Sequence, residues 1–152
     1  MKAVVTRVKS ASVAVEDQVI GSIGQGYLVL LGIGPDDTEK DAQVLVEKIY
    51  NCRIFSDEQG KMNLNLASVQ GSVLVVSQFT LYADLKSRRP SFSKAAKPAM
   101  ANELYECFLQ LCQEREAPVA HGEFGADMQV YSQNDGPVTL LFDSLDFISN
   151  NS

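Results

Sequence analysis

Two short apolar runs limit what this chain can become. Tyr27–Ile33, set between Gly26 and Gly34, is continuous rather than alternating, and Val73–Val76 opens a second run that reaches Thr80. Runs of this length read as buried strands and are far too short to span a bilayer. Alternation at Lys2–Val8 and Ala11–Glu16 adds two more strands. Arg53–Phe55 reads as a short strand, followed by a turn at Ser56–Lys61. Val119–Phe124, Asp127–Gln133 and Val138–Phe142 read as closing strands, with Asn134-Asp135-Gly136 as the turn between the last two.

Only two segments carry helical spacing. After the turn Pro35-Asp36-Asp37, Thr38-x-x-Asp41 is a helix-start signal. Ala42, Leu45, Val46 and Ile49 then share one face to about Cys52. Pro98 suits the first turn of a second helix, with Met100, Leu104, Phe108 and Leu111 as its stripe to about Glu116. Many strands with two helices predict an α+β fold, with a curved, barrel-like, mostly antiparallel sheet and both helices packed on one side. The 152 residues suit one domain, expected over 1–145, with a short, loose tail at 146–152. The N-terminus has no basic segment followed by a long apolar stretch, so a cytoplasmic protein without a membrane partner is expected.

Several chemistries lack their residues. Cys52, Cys107 and Cys112 are an odd set in an untargeted chain, which argues against a disulfide framework and for packing roles. With His121 the only histidine, a zinc site lacks ligands at recognised spacing, so neither metal nor cofactor is expected. No G-x-S-x-G surrounds a serine nucleophile. Gly32-Ile33-Gly34-Pro35 lacks the Lys-Ser/Thr ending of a phosphate loop, and Gly24-Gln25-Gly26 precedes a strand rather than a helix. An enzyme built from this sequence works mainly with backbone and substrate groups.

The net charge of -6 argues against nonspecific nucleic-acid binding, and no DNA partner is expected. Lys86–Lys97 departs from that balance, holding five of the thirteen basic residues and none of the nineteen acids. A charge run alone is also what a solvated loop looks like.

Two segments carry a resemblance: Ser77-Gln78-Phe79-Thr80-Leu81 and Asn134-Asp135-Gly136-Pro137-Val138-Thr139. Together, with Arg7, Arg53–Asp57, Gly60–Asn63 and Arg89–Phe92 as flanks, they resemble the D-aminoacyl-tRNA deacylase family over roughly Met1 to Phe142. A related group acting on other misacylated tRNAs varies both motifs, so the intact pair favours the D-specific branch. The resemblance implies a carboxylic ester hydrolase that frees D-amino acids from the 3′ end of tRNA, a homodimer serving translation quality control.

It also implies roles. Backbone amides around Ser77, Gln78, Phe79 and Thr80 would form the oxyanion hole, since fixed N–H donors at a strand end suit developing negative charge. The Thr80 hydroxyl fits a donor better than a nucleophile, because no adjacent base is evident. Gly136-Pro137, a cis bond in the family, would enter the partner's active site, bind the substrate ammonium and exclude an L side chain. Glycine has no side chain to exclude, so weak discrimination against glycyl-tRNA follows. Arg7 would brace that segment. Phe124 and Met128 would hold the terminal adenine, and Lys86, Arg88, Arg89 and Lys94 would contact acceptor-stem phosphates. The ribose 2′-OH would assist the attacking water. Taken singly, the same residues also read as a strand end, a hairpin turn, a surface arginine and core packing. A noncatalytic RNA-end binder and a small-metabolite esterase are the competing readings.

Overall fold

Lys2–Val15 form a single strand, β1, where the alternation predicted two. The break in pattern is a bulge. Val8 pairs with Asn134 and Ser10 with Gln133, which leaves Lys9 as an extra residue. Side chains alternate with a period of two, so one extra residue reverses every face beyond it. Ala3 and Val5 face one core cluster, whereas Val8, Ala11 and Val13 share another. Without the bulge, Ser10 and Ser12 would take the inward positions of Ala11 and Val13.

The computed structural model describes residues 1–148. After β1 come β2 (Gln18–Ile23), β3 (Gly26–Gly32), α1 (Glu39–Asn51), β4 (Phe55–Ser56) and β5 (Met62–Leu64). They are followed by β6 (Ser72–Ser77), α2 (Pro98–Gln113), β7 (Val119–His121) and β8 (Gln129–Asp143). Short 3-10 turns occupy Ala67–Val69, Phe79–Tyr82 and Ser144–Asp146. The sequence pattern missed β2 and β5. It also carried the β6 strand to Thr80, whereas β6 stops at Ser77 and Thr80 lies in a 3-10 turn.

The main sheet runs β2-β1-β3-β6-β7, with β8 paired to β1. It is mixed rather than mostly antiparallel. β1 is antiparallel to β2, β3 and β8, while β3–β6 and β6–β7 are parallel. Parallel neighbours need long crossovers, and α1 and α2 lie in the two connections. Both helices therefore pack on one face of the sheet, as expected. The same topology explains the continuous apolar runs. Tyr27, Val29, Leu31, Val73 and Val75 face the helices, while Leu28, Leu74 and Val76 face the concave side. Gly21 of β2 lies against the backbone of His121 in β7, so the sheet nearly closes into a barrel.

Asp41 anchors the start of α1. Its carboxylate accepts the Thr38 backbone N–H at 2.8 Å and the Ser144 hydroxyl at 2.6 Å. The Met1 ammonium donates to Asp37 at 2.7 Å and Ser144 at 2.9 Å. Of the tail expected at 146–152, Asp146–Ile148 continue this anchored turn, with the Phe147 and Ile148 amides donating to Ser144. Residues 149–152 lie outside the described residues. Cys112 is buried, and burial pushes its thiol up to about 12. Burial also raises the thiols of Cys52 and Cys107, so all three are poor nucleophiles. Among the described residues no helix is long and apolar enough to cross a membrane.

Candidate active site

An apolar cavity of about 340 Å³ opens where β3 and β6 end together. Leu31 and Ser77 are register partners there. Leu31, Ile33, Ala96, Pro98, Ala101 and Phe124 supply its apolar walls, and Ser77, Gln78 and Phe79 its sheet-side rim. At the rim Phe79 is 57% exposed and meets Phe92 edge to face, with ring centroids 5.1 Å apart. Two large rings left in water beside an apolar cavity are a surface prepared for a ligand. Ala95 and Ala96, which no sequence motif singles out, also line the cavity. Their small side chains inside a basic segment are the only signal, and the Ala96 amide ties that segment to Ile33 O at 3.0 Å.

The rim supplies donors. The Gln78 amide is already used, donating to Leu31 O at 2.7 Å. The next two amides, Phe79 and Thr80, begin the 3-10 turn and have no backbone acceptor among the described residues. Gln78 Nε2 donates to the Thr80 hydroxyl oxygen, which leaves the hydroxyl hydrogen free to donate elsewhere. Thr80 stands next to the cavity without lining it.

The other motif lies elsewhere. Asn134-Asp135-Gly136 is no hairpin turn: β8 is one continuous strand, and Asp135–Val138 bulge from it opposite the single residue Arg7. Arg7 is 8% exposed. Its Nη1 donates to Ile54 O at 2.6 Å, its Nε to Asp135 O at 3.2 Å, and the Asp135 carboxylate lies 3.5 Å from Nε. A buried guanidinium needs such acceptors, so Arg7 is a brace rather than a surface residue. The Gly136-Pro137 bond is cis, and both residues are exposed. Gly136 has φ of 122°, and a Cβ there would sit 3.0 Å from Arg7 Nη2 and 2.9 Å from the Val138 amide, so only glycine fits.

The remaining expected residues divide. Phe124 lines the cavity and leans on Tyr105, with centroids 5.8 Å apart. Met128 does not join it; its sulfur packs against Gly122 and its side chain against the concave-side core. Lys86, Arg88 and Arg89 are exposed on the loop before Phe92. Lys94 is less free, lying 3.4 Å from Asp84, whose backbone pairs with Ser91 to close the loop base. His121 is exposed on β7 and bonds the Gly122 carbonyl at 2.7 Å, away from the cavity. No three His, Cys, Asp or Glu side chains converge on a point among the described residues.

Fold and cavity together define the class: two helices on a nearly closed mixed sheet, with free backbone donors at a strand end beside an apolar cavity. A solved probable eukaryotic D-amino acid tRNA deacylase shares the fold at 17% identity, with a TM-score of 0.81 over 93% of this chain and 97% of that one. The solved c-Myc DNA Unwinding Element Binding Protein is 44% identical, with a TM-score of 0.89 over 94% and 98% of the two chains. A D-aminoacyl-tRNA deacylase from Thermosipho africanus is 56% identical, the match covering 95% of this chain and 97% of its own. One from Haemophilus influenzae is 57% identical, over 92% and 97%. The family model for D-Tyr-tRNA(Tyr) deacylase matches residues 4–143, and the chain belongs to that family.

Proposed function

We propose that this chain hydrolyses the ester joining a D-amino acid to the 3′ end of tRNA and spares the L-aminoacyl ester. The relatives above are D-aminoacyl-tRNA deacylases matched over nearly their whole length, which supports the activity. The observation that carries the mechanism is the pair of free amides at Phe79 and Thr80 beside the apolar cavity. Water attack on the ester carbon places negative charge on the carbonyl oxygen. Two N–H donors held by the β6 strand end can receive it without reorganising. The Thr80 hydroxyl adds a third donor, so Thr80→Val slows the reaction without abolishing it. The terminal adenosine takes the cavity against Phe124, and Lys86, Arg88 and Arg89 meet the phosphates behind it. The substrate 2′-OH orients the water, so a 2′-deoxy terminal adenosine is a poor substrate.

Chiral selection falls to Gly136 and Pro137 of a second copy in a homodimer. Arg7 pairs with Tyr27 while Leu31 lines the cavity, four residues further along β3. That is about 13 Å along a strand. The Gly136-Pro137 bulge of one chain is therefore far from its own cavity. β8 is also a long edge strand with Val130, Tyr131 and Leu141 exposed, the kind of edge a second copy covers. Backbone carbonyls of the bulge bind the substrate ammonium and fill the space of an L side chain. Glycyl-tRNA escapes this exclusion and is cleaved.

The test compares hydrolysis of D- and L-tyrosyl-tRNA by chelator-treated protein. Rapid loss of the D ester alone supports the reading; binding without hydrolysis refutes it. Mixing Arg7→Ala with Phe79→Pro subunits tests the exchange between copies. If the bulge acts across the interface, each mixed dimer regains one intact, selective site. If it acts within its own chain, no intact site forms.

A further inference from the structure

The Gly32-Ile33-Gly34 segment, unsuited to a phosphate loop, has its place beside the 3-10 turn. We infer that Gly32 and Gly34 are positioning residues that seat the turn carrying the Phe79 and Thr80 amides, an inference that rests on the deacylase reading above. Gly32 is the last residue of β3, and both glycines are buried. The turn Phe79–Tyr82 lies directly on their backbone. A Cβ on Gly32 would stand 2.9 Å from Leu81 Cβ and 3.1 Å from Gln78 O. A Cβ on Gly34 would stand 2.9 Å from Tyr82 Cε1 and 3.1 Å from its Cζ and hydroxyl oxygen. Ordinary carbon contacts are about 3.5–4.0 Å.

The two clashes differ in kind. At Gly32 the obstacles are a carbonyl oxygen and a Cβ, fixed to the backbone of the turn itself. Relief there must move the turn. At Gly34 the obstacle is an aromatic ring that can swing or be trimmed. The Gln78 amide bond to Leu31 O at 2.7 Å pins the start of the turn to β3, so the displacement falls on the residues after Gln78. Those residues carry both free amides. An oxyanion donor works over a narrow range of distance, and a misplacement of about 1 Å can lower a rate by roughly a hundredfold. Gly32 does not line the cavity, so substrate affinity is expected to be spared.

The experiment measures kcat and KM on D-tyrosyl-tRNA for parent, Gly32→Ala, Gly32→Ala/Leu81→Ala, Gly34→Ala, Tyr82→Ala and Gly34→Ala/Tyr82→Ala, with thermal unfolding of each. The expected result for folded Gly32→Ala is a kcat lower by roughly thirty- to a hundredfold, with KM within about threefold. Trimming Leu81 to Ala does not restore it, because the Cβ remains. Gly34→Ala loses about five- to tenfold, and adding Tyr82→Ala brings it back to the level of Tyr82→Ala alone. A folded Gly32→Ala within about threefold of the parent in kcat overturns the inference. Equal loss in kcat and in folded fraction also overturns it, because that is a purely structural role. If Gly32→Ala does not fold, the Gly34 pair decides: recovery in the double variant supports the inference, and no loss or no recovery overturns it. An inactive parent refutes the deacylase reading itself, and the inference falls with it; an active parent with indifferent glycines refutes the inference alone.

Discussion

The two ends of β3 carry opposite chemistry. At the Leu31 end the backbone offers N–H donors beside an apolar cavity. At the Tyr27 end a buried arginine donates to the Ile54 and Asp135 carbonyls and so holds a bulge, whose remaining carbonyl oxygens are the groups the proposed function assigns to the substrate ammonium. The first region is a by-product of the core, because two parallel strands stop together and leave amides unpaired. The second is built against the core's preference, since a guanidinium must be supplied with acceptors before it can be buried. A substrate with a developing oxyanion and an ammonium group calls on both kinds of group. In one chain the two ends lie about 13 Å apart along β3, which is why the proposed function draws them from two copies.

The largest expected effect breaks the donor end. Phe79→Pro removes one free N–H and lowers kcat by about 10²–10³, the scale of losing one oxyanion donor. Phe79→Ala keeps the amide and changes only the aromatic rim, so its kcat stays well above that of the proline variant. Single-turnover hydrolysis of D-tyrosyl-tRNA separates them. Equal losses in the two variants would assign the effect to the ring and dissolve the contrast between the ends.

The acceptor end responds differently. Arg7→Ala leaves the Ile54 and Asp135 carbonyls short of a donor and costs roughly 2 kcal/mol of stability, read from chemical denaturation. Its D-over-L selectivity falls by about tenfold or more, while D-ester cleavage falls less. Arg7→Lys does not restore selectivity, because an ammonium cannot bridge two carbonyls in the fixed geometry of a guanidinium. Unchanged selectivity in a folded Arg7→Ala would remove the bulge from chiral choice.

A smaller effect sharpens where tRNA lies relative to the two ends. Arg88→Ala and Arg89→Ala each raise KM by about threefold and flatten its salt dependence, as loss of a phosphate contact does. Lys94→Ala does less, because Asp84 already engages that ammonium. A larger effect from Lys94 would show that the Asp84 pair opens for substrate.

The smallest effect lies outside both ends. Burial alone would raise the Asp41 carboxyl, but hydrogen bonds from Ser144 and Thr38 outweigh it and hold the carboxyl below its usual 3.8. A carboxyl depressed in the folded state contributes stability that is complete above that value and is lost as pH falls through the folded pKa. Stability is therefore flat from pH 7 to about 5 and declines in acid, and Asp41→Asn shows a shallower decline. An unchanged acid slope would remove Asp41 from the acid response.

The same contrast governs what the sequence revealed. The strands beneath the donor end were legible from apolar runs, since Tyr27–Ile33 and Val73–Thr80 read as buried strands, whereas the donor role of Ser77–Thr80 comes from the family resemblance. What failed was the reach of β6. Phe79 and Leu81 suit a strand as well as a turn, and only the close approach to Gly32 and Gly34 decides between them. The parallel pairing escaped because composition does not specify direction; the helices between the strands were the available clue. At the acceptor end, Asn134-Asp135-Gly136 has the residues of a hairpin turn, yet β1 is long enough to pair on both sides of it, so the chain bulges and continues. Met128 suits an adenine pocket in composition, but it packs partly buried against Gly122 and the concave-side core rather than lining the cavity.

The extra residue at Lys9 has a consequence for how the gene can change. The loop 85–94 is exposed and can lose or gain residues with little damage to the core. Lys9 is equally exposed and is the residue that the bulge takes out of alternation, so its deletion would leave Val8, Ala11 and Val13 inward, whereas deletion of Ser12 would turn Val13 towards water. The bulge position thus tolerates both exchange and loss, while a strand position beyond it tolerates exchange but not loss. A single-codon deletion is cheap at Lys9 and disabling at Ser12.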